Sequence, residues 1–277
     1  MKKYIIFILF TFFYFQNLFA QIGIYPYAVF LDTKNRSGNI KVMNNSTESK
    51  EINIELKFGY SGYDSLGRSI MVTNDSITEL LHSAVPYVKA YPKKLILKPS
   101  EEQIIRFMVG NIAEAKEGTY YCRVFITSKM PPEEIDTTYS DSIKPKIDIQ
   151  FTLIAAVIFQ KGNRNCSLEL SQSNIICDSN NVDIIVDIKH SGNSPFLGTS
   201  EIQVFNKDGS KILSRKEMTP VYHSTKKAFT IPRNKFTKGR YQVEITMSNE
   251  HKDVPDGFKT PIEPVKATFT IDLTDKL

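Results

Sequence analysis

From residue 147 to residue 159 the chain keeps an apolar side chain at every second position: Ile147, Ile149, Phe151, Leu153, Ala155, Val157 and Phe159. The intervening row opens with Asp148, Gln150 and Thr152. A period of two belongs to a β-strand, whose successive side chains point to opposite faces, and a helix cannot hold such a row on one side. The row outruns the strand of roughly five or six residues that a small sandwich needs. Such a ribbon is either buried deep in its own domain or made to be covered by a partner.

The rest of the chain is β in character. Short runs rich in Ile, Val, Tyr, Phe and Thr recur roughly every 8–15 residues between Gly, Asn, Asp, Ser and Pro, and helical periodicity is hard to find. The pattern predicts strands over 22–31, 38–43, 51–58, 91–97, 103–109 and 119–127, with 147–159 as the seventh, enough for one Ig-like sandwich. Residues 128–146, with Met130-Pro131-Pro132-Glu133-Glu134 and Pro145, read as a polar loop. Further runs over 182–188, 201–205, 226–231, 240–247 and 265–273 predict a second sandwich. Asp208-Gly209 is a hairpin turn in which both central residues would take positive φ. The expected fold class is all-β, two Ig-like β-sandwich domains in tandem over 21–161 and 162–277.

Residues 1–20 have the form of a signal peptide: Met1-Lys2-Lys3, an apolar run from Tyr4 to Phe15, and Leu18-Phe19-Ala20 before the expected cleavage. No later run reaches 18 uninterrupted apolar residues, so no membrane anchor is expected after cleavage. The formal charge of +5 falls to +3 with Lys2 and Lys3, and the remaining charges are interspersed, which argues against a nucleic-acid footprint. In an exported chain three cysteines leave one unpaired. The residues between Cys166 and Cys177 read as a short hairpin that would bring the two sulfurs within disulfide reach, with Cys122 as a small core residue; free thiols are the alternative.

Little points to catalysis. His82, His190, His223 and His251 stand singly, without the spacing of a metal motif, and there is no nucleophile elbow or phosphate-cradling glycine loop. A non-enzymatic protein without a cofactor or metal is expected.

Four segments in order resemble the periplasmic pilus-assembly chaperones of the chaperone-usher pathway. They are Ile24-Tyr25-Pro26-Tyr27-Ala28-Val29-Phe30-Leu31; Arg36-Ser37-Gly38-Asn39-Ile40-Lys41-Val42-Met43-Asn44-Asn45; Leu97-Lys98-Pro99-Ser100-Glu101-Glu102-Gln103-Ile104-Ile105-Arg106-Phe107; and Glu117-Gly118-Thr119-Tyr120-Tyr121-Cys122-Arg123-Val124 with the loop and alternating strand after it. The resemblance covers the first domain and the two-domain layout. It implies that the alternating strand is lent to an Ig-like pilus or fibre subunit lacking its own last strand, with Ile147, Ile149, Phe151 and Leu153 entering the subunit's groove. It also implies an outer-membrane usher as a further partner.

One departure stands out. The family holds the subunit's terminal carboxylate with an Arg on the first strand and a Lys on the last; those positions fall here on Tyr27 or Ala28 and on Ala156. Tyr27, Arg123 and Lys161 are the candidates to replace the pair. Two other readings stay open: an exported Ig-like adhesin or structural binding module, and a chaperone relative serving another secretion or motility assembly.

Overall fold

In the structure, a computed structural model that describes residues 21–131 and 149–274, proline decides where the first sandwich changes sheet. The run expected over 22–31 is two strands, β1 (Ile22–Tyr25) and β2 (Ala28–Asp32), on either side of Pro26. Proline gives no N–H to a ladder, so the pairing breaks there and the chain crosses to the other sheet. β3 (Ser37–Asn44) and β4 (Lys50–Lys57) follow, then a hairpin of β5 (Tyr60–Tyr63) and β6 (Ser69–Val72), and a short helix α1 (Ser76–His82). The run expected over 91–97 is split by Pro92 into β7 (Val88–Tyr91) and β8 (Lys94–Leu97), again in different sheets. β9 (Glu102–Val109), β10 (Gly118–Lys129) and β11 (Phe151–Lys161) complete the unit.

These strands form a four-stranded sheet, β1-β3-β9-β7, facing a five-stranded one, β2-β11-β10-β4-β8. Their inward rows close one core, in which Leu31, Ile40, Ile52, Leu97, Ile105, Phe107, Ile126 and Phe159 are buried. Gly38 of β3 passes under β2 so closely that an added Cβ would lie 2.5 Å from Val29 Cγ1. The Asn-rich turn after β3 is a structural plug: the buried Asn44 amide donates to the carbonyls of Glu48 (2.7 Å), Leu97 (3.0 Å) and Lys98 (3.1 Å). It thereby ties the turn after β3 to the end of β8.

The second core is enclosed by β12 (Cys166–Cys177), β13 (Asn181–Gly192), β14 (Phe196–Phe205), β15 (Lys211–Val221), β16 (Thr225–Pro232), β17 (Arg240–Ser248) and β18 (Val265–Asp272). They pair as β12-β13-β16 and β15-β14-β17-β18. The hairpin expected between Cys166 and Cys177 is instead the single strand β12. Its ends pair with Gly192 and Val182 at opposite ends of β13. At ~3.3 Å per residue the two cysteines are several times too far apart for a disulfide, and Cys122, Cys166 and Cys177 are all free thiols. The turn at Asp208-Gly209 also differs from expectation. Only Gly209 has a positive φ, +82°, and the register shifts between Val204 and Phe205, so the hairpin closes through the longer connection 206–210 beside a bulge instead of a two-residue turn.

The two sandwiches meet at an aromatic seam. Phe58, Tyr60, Tyr121 and Ile158 of the first pack against Leu197, Tyr222, Val254 and Phe258 of the second, with Tyr121 and Tyr222 rings 4.6 Å apart and edge-on. The β5–β6 hairpin reaches across as a brace. The Ala228 amide of β16 donates to the Gly67 carbonyl at 2.9 Å, and the Lys227 ammonium lies 5.1 Å over the Tyr63 ring. Asn193 ties the linker: its backbone amide donates to Asn165 Oδ1, its Oδ1 accepts from the Asn165 amide, and its side-chain amide donates to the Asn163 carbonyl.

Candidate functional site

β11 is the strand that begins as the alternating ribbon. It pairs antiparallel with β10 along its whole length, from Phe151 opposite Ser128 to Lys161 opposite Gly118. Its other side is covered only in part. β2 pairs with it in parallel from Ala156 opposite Ala28 to Gln160 opposite Asp32, and the Ala156 amide donates to the Tyr27 carbonyl at 2.9 Å. Over 151–155 no described strand lies on that side. Because backbone groups alternate in direction along a strand, Thr152 and Ile154 turn their N–H and C=O toward the uncovered edge, as Ala156 turns its own toward β2.

The side chains follow the same gradient. Val157 and Phe159 are fully buried, Ala155 is buried and Leu153 is half-buried against the first core. Beyond them Phe151 is 47% and Ile149 59% exposed. The apolar row thus emerges from its own domain as it runs toward the uncovered edge. Ile149 precedes the strand itself, which starts at Phe151, and Ile147 lies outside the described residues, as does the expected leader at 1–20. On the opposite face Ile154 is exposed and stands across from Phe125 of β10.

Of the positions where the resembling family's basic pair is expected, Tyr27 or Ala28 and Ala156, Ala28 and Ala156 are direct neighbours in register. The three substitute residues have different fates. Arg123 stands across from Ala156 on β10 but is only 7% exposed, because the β5–β6 hairpin covers it and its Nη2 donates to Ser61 Oγ at 2.9 Å. Its Nε is buried without a partner. Lys161 is occupied in holding a loop, with its ammonium donating to the carbonyls of Ile112 (2.8 Å) and Ala115. Tyr27 is 67% exposed, beside the point where β2 joins β11.

Sequence reasoning missed a polar pocket of about 390 Å³ on the seam, lined by His82, Tyr121, His190, Asn193, Ser194 and His223 among others. Three of the chain's four histidines meet there from positions far apart in sequence; only the tertiary fold brings them together. Among the described residues no group of three or more His, Cys, Asp or Glu side chains is placed to hold a metal ion. No described helix is long and apolar enough to cross a membrane. Burial pushes the Cys122 thiol up to about 12 and that of Cys166 up to about 11, which keeps both protonated and inert.

Two all-β, Ig-like sandwiches in tandem define the class of molecule. No family model matches the chain and no curated protein matches it in sequence. Among solved structures, the class 5 fimbriae chaperone CfaA aligns over 89% of this chain and 98% of its own, at 17% identity and a TM-score of 0.50. The YadV chaperone aligns over 90% and 100% at 9% identity and a TM-score of 0.49. The CsuC–CsuE chaperone–tip subunit pre-assembly complex from archaic chaperone-usher Csu pili of Acinetobacter baumannii aligns over 89% and 98% at 10% identity and 0.46. The chain therefore has the fold of the pilus-assembly chaperones.

Proposed function

We propose that this chain is an exported, non-enzymatic chaperone that holds an incomplete Ig-like subunit of a pilus or related surface fibre by lending it a strand. The observation that carries the reading is the uncovered edge of β11 at 151–155, continuous with the exposed side chains of Ile149 and Phe151. A subunit lacking its final strand presents unpaired backbone and an apolar groove, and left alone it would aggregate. β11 offers the complement of both: the outward N–H and C=O of Thr152 and Ile154 for the ladder, and a period-two apolar row for the groove. About half of the Ile149 and Phe151 surfaces remains in solvent, so covering them contributes roughly 1 kcal/mol each, with Leu153 and Ile147 extending the row. The likeness in fold to CfaA supports this reading. On it the chain works in the periplasm after losing residues 1–20, with the fibre subunit as client and an outer-membrane usher as acceptor.

Tyr27 is the candidate of the three whose side chain is free to meet the client's terminal carboxylate, through its phenol. Without a basic pair at Ala28 and Ala156 that hold is weaker than an ionic one, so the strand itself carries more of the affinity. This also favours, as a second reading, a relative of the pilus chaperones that serves another surface assembly.

The test is the double variant Ile149→Asp/Phe151→Asp, co-expressed with a fibre subunit from its own gene neighbourhood. Both side chains are exposed, so circular dichroism should match wild type while the subunit no longer co-purifies. Retention of the complex would remove strand donation. In the same assay Tyr27→Phe should weaken binding of the native subunit but not of one with an amidated carboxyl terminus; equal loss for both would exclude Tyr27 as the carboxylate contact.

A further inference from the structure

The seam pocket gathers side chains from several elements. His82 comes from the last turn of α1, His190 from β13, Tyr121 from β10, and Tyr222 and His223 from the start of the loop after β15; Tyr60 of β5 packs edge-on against His223. His82 and His223 belong to different sandwiches, and their ring centroids are 6.0 Å apart. His82 lies parallel to the Tyr121 ring at 5.8 Å.

Each histidine of the pocket has one hydrogen-bond partner that is a backbone carbonyl or a phenol. His82 Nδ1 lies 3.2 Å from the Thr119 carbonyl and His190 Nε2 lies 2.9 Å from the Ser194 carbonyl. Since a carbonyl only accepts, each ring donates there and has its second nitrogen unprotonated while neutral. Tyr121 OH and His223 Nε2 are 3.0 Å apart. Burial holds the Tyr121 phenol protonated; it donates where His223 Nε2 carries no proton and accepts where Nε2 carries one.

The charges nearby do not favour imidazolium. Burial, as the largest cause, lowers the pKa of both His190 and His223 below the usual 6.5; the bond to the Ser194 carbonyl raises His190 in part, and repulsion from His82 lowers both. The acid facing the cluster is Asp75, the cap of α1, which pulls His223 the other way. Its carboxylate already accepts from Tyr60 OH at 2.8 Å and from the Thr78 amide at 3.0 Å. The tyrosines Tyr60 and Tyr121, both pushed upward by burial, bring no charge.

We propose that His190 and His223, facing His82 across the seam, form an acid-sensitive latch between the two sandwiches, closed while these two imidazoles are neutral and opened when they are protonated. The sign follows from the lowered values. A histidine with a depressed folded-state pKa stabilises the closed seam fully above about pH 6.5 and loses that contribution as pH falls below it. Protonation of His190 and His223 places two like charges in one half-buried pocket on the seam and turns Tyr121 from donor to acceptor, and the cheapest relief is to separate the domains and admit water. The latch stands whether or not β11 receives a client strand.

Small-angle X-ray scattering of the full exported chain between about pH 7.5 and pH 5 tests it, with circular dichroism to verify that each sandwich stays folded. Wild type should show a reversible rise in radius of gyration as the pH falls. The variant His82→Gln/His190→Gln/His223→Gln should not, because glutamine can donate to Thr119 and Ser194 and accept from Tyr121 but cannot titrate in this range. A wild-type radius that stays constant to pH 5, or an equal rise in the variant, would overturn the latch. Should the triple variant fail to fold, imidazole titrations of wild type by NMR decide. The seam resonances of Tyr121 and Tyr222 should shift with the midpoints of His190 and His223, and titration without any shift at those rings would overturn it as well.

Discussion

Arg123 and Glu51 are both buried charges of the five-stranded sheet, and their surroundings give them opposite roles. Glu51 accepts from two lysines, Lys94 Nζ at 3.0 Å and Lys129 Nζ at 3.2 Å, which tie β8 and the end of β10 to β4. The hydrogen bond from Lys94, the largest cause, holds its carboxyl below the ordinary 4.5. Its contribution to stability is therefore present above pH 4.5 and fades as the pH falls through the depressed folded value. Glu51→Gln should lower the urea midpoint at neutral pH, and the gap from wild type should close on acidification below about pH 4.5; a gap independent of pH would assign the effect to packing. Arg123 has one hydroxyl partner and no ion pair among the described residues. Nothing in the local sequence separates the two cases, since each is a charged residue in an apolar strand. Register decides them, and register is a property of the whole sheet.

At the scale of elements, the strands that were legible include interior strands and the edge strands β16 and β18. β3, β9, β10, β13 and β17 fall within a few residues of where alternation places them. The failures have physical causes. Pro26 and Pro92 split runs that alternation alone would continue, because losing an N–H breaks a ladder without disturbing the side-chain period. β12 was hidden because its exposed stretch Ser171-Gln172-Ser173-Asn174 carries turn-forming residues around a bulge between Gln172 and Asn174. α1 is one short helix begun by Asp75, whose carboxylate accepts from the Thr78 amide, and seven residues are too few to show a period. The β5–β6 hairpin escaped notice for a related reason: its strands have four residues each. Yet it depends on a single glycine. Gly67 has φ +76°, and a Cβ there would sit 2.3 Å from the Ala228 nitrogen. Gly67→Ala should cost ~1–3 kcal/mol in strain and overpacking. Hydrogen exchange should show faster exchange at 60–72 with little change in β9 or β17; uniform protection would mean that the hairpin does not brace the second domain.

On the scale of the whole molecule, the two cores are joined through side chains that sequence cannot associate. Phe58, Tyr60 and Tyr121 read as ordinary strand aromatics, and Tyr222 sits in an unremarkable stretch between β15 and β16. Together they close the seam, with Tyr222 4.6 Å from Tyr121 and 5.2 Å from Tyr60. Removing a buried aromatic from a packed cluster costs about 3–5 kcal/mol. In calorimetry Tyr222→Ala should therefore split one cooperative unfolding transition into two, one per sandwich. Retention of a single transition would show that the domains stay coupled without Tyr222, through the β5–β6 brace, Asn193 and the rest of the seam. Of the candidate site, the period-two row was readable in advance, but its open flank was not. Whether a strand has a neighbour depends on β2, which lies more than a hundred residues earlier in the chain.

That placement of β2 has a consequence for any guest. On the proposed function, a strand sliding toward Ala156 along the side of β11 that no described strand covers would meet the backbone of Tyr27 as a doorstop, already bonded to the Ala156 amide. The guest could hang free at its far end but not advance at the near one, and the host would work as a gauge for where the guest's terminus comes to rest.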